Sequence, residues 1–248
     1  MTLGDIIRSF PSPALGVGAR DLAWDGKYLW HQDIFALFIH QLNPITGAVL
    51  RSIATPSTGS QGLTFDGKYL WDADDTTNSI YQIDPITGTV IRSIIPLSEP
   101  QGLTFDGKYL WNSDDLTNRI YQIDPITGGS IRSFPAPEAS VASLAWDGKY
   151  LWHDGSTANL IYQMNPATGA IVNSFASGAT NPHCLTWDGK YLWLAERNPD
   201  IISQLNPVTG ARIVSFVLPF IPYGLTWDGK YLWVSSYDTD RIYQISVM

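Results

Sequence analysis

The hexapeptide Asp25-Gly26-Lys27-Tyr28-Leu29-Trp30 decides the fold, because the same six residues recur along the whole chain. The copies begin at Asp25, Asp66, Asp106, Asp147, Asp188 and Asp228. A period of about 40 residues is typical of the four-stranded blades of a β-propeller. The sequence therefore predicts an all-β, six-bladed β-propeller with four antiparallel strands in each blade.

Turn signals divide each repeat into four strands. In the second repeat we predict strands a, b, c and d at residues 61–65, 68–73, 80–83 and 89–94. The Asp66-Gly67 pair between strands a and b is typical of a two-residue type I′ hairpin. Counting outward from that hairpin places Trp71 opposite Gly62, where a small residue makes room for the indole.

The two ends of the chain predict how the ring closes. Residues 4–10 match the strand-d register of residues 47–53, and the chain stops in strand c of the sixth copy. We therefore expect residues 4–10 to complete the sixth blade, so that residues 1–248 form one domain. The repeats begin near Asp21, Gly62, Gly102, Ser143, Cys184 and Gly224.

Composition narrows the classes of partner. The formal net charge of −8 would repel a polyanion, so we expect no nucleic-acid partner. The single cysteine, Cys184, excludes an intrachain disulfide, and we expect it to be a small residue beneath Trp193. The N-terminal residues show no basic region followed by an apolar core, so we expect no signal peptide, and no apolar run is long enough to span a bilayer. We expect a monomer with no membrane partner, either cytoplasmic or a mature exported form.

The copies disagree where strand a opens and just after the Trp of strand b. The hairpin count pairs Arg20 with His31, Gln61 with Asp72, Gln101 with Asn112, Ala142 with His153, His183 with Leu194, and Tyr223 with Val234. Polar groups beside an apolar wall are typical of small-molecule sites, although unrestrained drift would also vary these positions. The predicted ligand-binding residues are Arg20, His31, Gln61, Asp72, Gln101, Asn112, His153, His183 and Tyr223.

Some of these side chains are also candidate metal ligands. A divalent Ca, Mg or Zn ion could be held by His31, Asp72, Asn112, His153 and His183. The loops between strands b and c could take calcium through their acids, although Asp also favours turns for local hydrogen bonding. Those acids are Asp33, Asp74, Asp75, Asp114, Asp115, Asp154, Glu196 and Asp238.

The repeat resembles those of known bacterial and archaeal propellers. The segments GLTFDGKYLW at 62–71 and IYQIDPITG at 80–88 are similar to repeats of the NHL, YVTN-type and glutamine-cyclotransferase-like groups. These groups include binding modules, lyases and lactonases. Gluconolactonase-type enzymes hold a divalent metal with Glu, Asn and Asp; Asp72 and Asn112 are similar in kind, but no Glu opens a strand a here. The close likeness of the copies is typical of recent amplification or of consensus design.

Two functions remain open from the sequence. The first is a non-catalytic binding or scaffold propeller that takes a small ligand or a protein partner at its loop face. The second is a metal-dependent hydrolase or lyase with His31, His153 or His183 as acid or base. The chain contains no nucleophile elbow and no phosphate-binding glycine loop, which favours the first function.

Overall fold

The fold is a ring of six four-stranded sheets in a computed structural model, which describes residues 2–13, 18–94, 97–139, 141–155, 157–178 and 181–247, with 141 and 142 as backbone alone. These residues form 24 strands, and every sheet is antiparallel. The six-bladed β-propeller is therefore confirmed. The described residues contain no helix that is long and apolar enough to cross a membrane.

The strands follow one another blade by blade. Blade 1 is β2 (Ala19–Trp24), β3 (Leu29–Asp33), β4 (Phe38–Leu42) and β5 (Val49–Ala54). Blade 2 is β6 (Ser60–Phe65), β7 (Leu70–Asp74), β8 (Ser79–Ile83) and β9 (Val90–Ile94). Blade 3 is β10 (Pro100–Phe105), β11 (Leu110–Asp114), β12 (Arg119–Ile123) and β13 (Ser130–Pro135). Blade 4 is β14 (Val141–Trp146), β15 (Leu151–Gly155), β16 (Leu160–Met164) and β17 (Ile171–Ala176). Blade 5 is β18 (Pro182–Trp187), β19 (Leu192–Glu196), β20 (Ile201–Leu205) and β21 (Arg212–Val217). Blade 6 is β22 (Pro222–Trp227), β23 (Leu232–Ser236), β24 (Arg241–Ile245) and β1 (Ile6–Pro11).

The N-terminal strand completes the sixth blade, as its repeat register predicts. β1 pairs antiparallel with β24, with Phe10 opposite Ile242. The Phe10 ring stacks on the ring of Trp233 at a centroid distance of 5.6 Å. Nε of Arg241 donates to Oγ of Ser9 at 3.1 Å. The two ends of the chain are thus held in one sheet, which closes the ring.

The tryptophan that ends each hexapeptide joins neighbouring blades. Trp71 packs against Leu103, Leu110 and Ile123 of the next blade. All six of these indoles are fully buried: Trp30, Trp71, Trp111, Trp152, Trp193 and Trp233. Burying one indole stabilises the fold by about 4–6 kcal/mol as an upper estimate. The repeated Trp therefore explains why the ring holds together without helices or disulfides.

The turn between strands a and b differs from the two-residue hairpin predicted above. Phe65 pairs with Leu70, which leaves a four-residue loop. Oδ1 of Asp66 accepts the backbone N–H groups of Lys68 (2.8 Å) and Tyr69 (2.7 Å), and Oδ2 accepts Nε1 of Trp71 at 2.7 Å. The aspartate caps a longer turn because its carboxylate satisfies three donors at once.

This longer loop shifts the pairing of strands a and b by two residues in every blade. Trp71 lies opposite Thr64, not opposite Gly62 as predicted. Gly62 instead lies where the backbone of the next blade approaches. A Cβ at this position would collide with the carbonyl oxygen of Gln101. The small residue makes room for a neighbouring backbone and not for an indole.

Candidate functional site

A bulge opens strand a in all six blades. In blade 2, Ser60 pairs with Asp74 and Gly62 with Ala73, which leaves Gln61 out of the ladder. The same register shift brackets Arg20, Gln61, Gln101, Ala142, His183 and Tyr223. A bulge re-aims its side chain and is common beside binding sites. These six positions, named the mouth residues below, differ between the repeats; the side chain of Ala142 lies outside the described residues.

The six strands a enclose a central channel of about 230 Å³. Gln61, His183 and Tyr223 line it near the start of their strands, and Trp187 and Trp227 line it near the end. The channel therefore has a variable, mostly polar end and a conserved aromatic end. We call the first end the channel mouth.

The predicted residues on strand b lie elsewhere. His31, Asp72, Asn112 and His153 are each 0 % exposed. The predicted pairs are wrong by two positions, since these four residues lie opposite Leu22, Leu63, Leu103 and Leu144. Their side chains are buried inside the blades. The sequence therefore identifies positions that vary between the copies, but wrongly places these four side chains at the channel mouth.

Asp72 shows what these buried polar groups do. Its Oδ1 accepts Nε2 of Gln32 from blade 1 at 2.7 Å, and its Oδ2 accepts Oγ of Ser60 at 3.1 Å. Burial, and then the neighbouring Asp74, raise the pKa of this carboxyl well above its usual range. Asp72 is therefore a hydrogen-bonded link between two blades.

Two of the buried histidines are neutral, and His31 links two blades as Asp72 does, whereas His153 bonds within its own blade. Nε2 of His31 lies 3.0 Å from Oγ of Ser12, and burial lowers the pKa of His31 to about 3. Nδ1 of His153 lies 3.5 Å from the carbonyl oxygen of Ser143, and burial lowers its pKa to about 4. Among the described residues, no three His, Cys, Asp or Glu side chains form a group that could hold a metal. The five predicted metal ligands are thus not brought together.

Acids of the loops between strands b and c largely serve their own turns. Oδ1 of Asp74 accepts the backbone N–H of Thr77 at 2.9 Å, and Oδ1 of Asp114 accepts that of Thr117 at the same distance. Asp33 does the same for Ala36 at 2.8 Å. This pattern favours the turn explanation for these acids over calcium binding.

One sector of the mouth gathers charged and aromatic side chains. Arg20 donates through Nη1 to the hydroxyl of Tyr223, and its guanidinium carbon lies 4.6 Å from the centre of that ring. The guanidinium carbon of Arg197 lies 4.7 Å from the same ring centre. The ring of His183 contacts the Tyr223 ring at 4.7 Å, and Tyr237 stacks on it at 6.0 Å. We call these five residues the arginine-tyrosine sector.

Arg197 and Tyr237 did not appear among the sequence predictions. Both follow directly after strand b, at the repeat position that Asp75 and Asp115 occupy in blades 2 and 3. Their backbone N–H groups make the same bond in each blade, for example from Arg197 to the carbonyl oxygen of Asn181 at 2.9 Å. Extending the comparison of the copies by a few residues beyond the Trp would have found this second variable position.

Electrostatics distinguish this sector from the rest of the mouth. Burial, and then Arg20, lower the pKa of Arg197 to about 10. Burial, and then Arg197, lower the pKa of His183 to about 3, so this imidazole is neutral. On blade 2, Nε2 of Gln61 donates to Oδ2 of Asp75 at 2.6 Å. The mouth is thus cationic at blades 5 and 1 and anionic at blade 2.

Comparison with known proteins gives a likeness of fold. No protein-family model and no curated protein sequence matches the chain. The solved structures include a similar one, the crystal structure of selenomethionine-substituted virginiamycin B lyase from Staphylococcus aureus. It is 19% identical, the match covers 97% of this chain and 99% of that chain, and the TM-score is 0.72. At this identity the likeness is one of architecture.

Proposed function

We propose that this chain is a non-catalytic binding propeller that takes a small ligand at the channel mouth. The observation that carries the proposal is the bulge at the start of each strand a, because three of the bulged residues, Gln61, His183 and Tyr223, line the channel. The hexapeptide at the other end of each strand a is the same in all six blades. Variable side chains around a cavity, carried by a regular scaffold, are the expected pattern for a ligand site.

The chemistry of the mouth favours binding over catalysis. His183 has a pKa near 3, so it is a weak base at neutral pH and a poor general base. Burial raises the pKa of the Cys184 thiol well above its usual range, which keeps it protonated and unreactive. Neither His183 nor Cys184 is therefore suited to act as base or nucleophile, which favours a site that holds a molecule without turning it over.

The alternative is a metal-dependent hydrolase or lyase, and the likeness in fold to virginiamycin B lyase favours it. It is tested by incubating the protein with virginiamycin B and magnesium, manganese or zinc, and following the antibiotic by liquid chromatography. We expect no consumption above the buffer control. Metal-dependent loss of the antibiotic, reduced by Tyr223→Ala, would establish the enzyme in place of the binding protein.

The binding proposal is tested with a matched pair of tyrosines in blade 6. Tyr223 lies at the mouth, whereas Tyr231 lies in the opposite hairpin beneath Lys230. A panel of amino acids, sugars, organic acids and nucleotides is screened by thermal shift. We expect at least one compound to stabilise the wild type and Tyr231→Ala but not Tyr223→Ala. A panel without effect, or equal effects in both variants, would exclude the mouth as the site.

A further inference from the structure

The arginine-tyrosine sector contains two cations without a counter-ion. Among the described residues, no salt bridge within 4.0 Å joins Arg20 or Arg197 to a carboxylate, whereas Arg212 has such a partner in Glu196. Nη2 of Arg197 is buried and has no hydrogen-bond partner, while its Nε donates to the carbonyl oxygen of Pro222 at 2.9 Å. A buried donor without an acceptor is costly unless a ligand supplies one.

The two guanidiniums share one small, partly buried site. Both lie within 5 Å of one tyrosine ring, at 4.6 and 4.7 Å from its centre. Asp75 and Asp200 act on them only at longer range. Like charges that share a partly buried site repel each other, and an anion between them would reverse that repulsion.

We propose that the channel mouth binds an oxyanion, the phosphate or carboxylate group of a small ligand, between Arg20 and Arg197 against the ring of Tyr223. Guanidinium groups suit this role because their planar fork matches the oxygens of carboxylate and phosphate. This inference rests on the proposed function and adds the chemical class of the ligand.

The neighbouring residues define how such a ligand would lie. The rings of His183 and Tyr237 flank Tyr223 and offer apolar walls to the part of the ligand beside its anionic group. Asp75 on blade 2 disfavours a second anionic group at that side of the mouth. The ligand class is therefore an anion at one end, with an uncharged or cationic body extending toward blade 2.

Inorganic phosphate and acetate are the probes, titrated by calorimetry and thermal shift at constant ionic strength. We expect saturable binding by the wild type, and Kd values larger by about tenfold to a hundredfold in Arg20→Gln and Arg197→Gln. Lys190→Gln removes one positive charge from an exposed side chain in the hairpin of blade 5 and is the matched control, with an unchanged Kd.

Arg197→Lys is a second, more conservative variant, which is included in case Arg197→Gln does not fold. It keeps the charge but loses the fork, so we expect binding weaker than in the wild type and stronger than in Arg197→Gln. Near-ultraviolet circular dichroism confirms the fold of each variant. No saturable binding of either probe, or equal Kd values in all variants, overturns the oxyanion proposal. If an uncharged compound still binds and is lost in Tyr223→Ala, the oxyanion proposal fails while the binding function stands.

Discussion

The two ends of strand a differ in how strongly the six blades resemble one another. At the hairpin end all six blades carry the same hexapeptide, and the aspartate of each copy bonds the indole of its own tryptophan at 2.7 to 2.8 Å. At the mouth end the same strand bulges, and six blades carry Arg, Gln, Gln, Ala, His and Tyr. Because bulged residues leave the ladder, their identity is free of the packing that fixes the rest of the blade.

This contrast explains how the chain can be both regular and specific. The hairpin end supplies buried indoles and satisfied donors, which hold neighbouring blades at one spacing. The mouth end supplies side chains that vary without disturbing that spacing. A protein built this way separates the residues that determine stability from those that determine ligand choice, and the two groups can be tested separately.

The largest loss of stability is expected for substitutions in the interface between blades, near the hairpin end of strand a. Trp152 is fully buried against Leu185, Leu192 and Leu205 of blade 5, whereas Trp146 of the same blade is only partly buried. Trp152→Ala should lower the free energy of unfolding by about 3–5 kcal/mol because it leaves a large cavity. Trp146→Ala should cost about 1–2 kcal/mol. Urea denaturation measures both, and equal losses would contradict the assignment of Trp152 as the interface residue.

The next effect concerns the aspartate of the hairpin. Asp147 accepts hydrogen bonds from the backbone of Lys149 (2.7 Å) and Tyr150 (2.6 Å) and from Nε1 of Trp152 (2.7 Å). Asp147→Ala should cost about 2–3 kcal/mol, because one of the stranded donors is buried. Asp75→Ala at the mouth, which loses the bond from Gln61, should cost about 1 kcal/mol or less. If Asp75→Ala is less stable than Asp147→Ala, the proposed difference between the two ends of strand a is wrong.

The same aspartate marks the limit of what the sequence predicts. Asp-Gly favours a two-residue hairpin by statistics, but it can equally open a four-residue turn that its carboxylate caps. The repeat spacing predicts the number of blades and the closing strand, because these depend only on counting copies. The partners of strand b depend on the loop length, so an error of two residues placed His31 and Asp72 beside Arg20 and Gln61.

The arginine-tyrosine sector shows the second limit. The sequence identifies Arg20, His183 and Tyr223 because they open strands a, and each of these strands begins at the mouth whatever the hairpin length. Arg197 and Tyr237 lie beyond strand b, and only the curvature of the ring brings blades 5, 6 and 1 close enough for their side chains to meet. Convergence across blades is a property of three-dimensional packing, so one strand pattern cannot reveal it.

A third prediction concerns the middle of strand a, between the two ends. Asp21 accepts the backbone N–H groups of Leu22 and Leu63, both at 2.9 Å, and burial raises its pKa to about 7. In blade 4 the same position holds Ser143, whose Oγ accepts the N–H of Leu185 at 3.0 Å. Asp21→Ser therefore keeps the contact between blades and removes the titration.

The raised pKa of Asp21 determines the direction in which stability changes with pH. The folded state favours the protonated carboxyl, so the contribution of Asp21 is most favourable below about pH 4 and is lost as the pH rises through about 7. Relative to the wild type, the free energy of unfolding of Asp21→Ser should rise by about 1–2 kcal/mol between pH 4.5 and pH 8. This is less than the full pKa shift implies, because solvent screens a carboxyl that lines the channel. Thermal unfolding at the two pH values measures the change. A constant difference would show that Asp21 does not titrate in this range.

The smallest effect is expected at the mouth itself. Gln101 lies on the bulge of β10, and Gln101→Ala installs the residue that blade 4 carries at the same position. Because this side chain is outside the ladder, the free energy of unfolding should change by no more than about 0.5 kcal/mol. Leu103→Ala, two residues further along the same strand and buried, should cost about 2–5 kcal/mol. If Gln101→Ala were as damaging as Leu103→Ala, variation at the mouth would be constrained by folding, and ligand choice would no longer explain why the blades differ there.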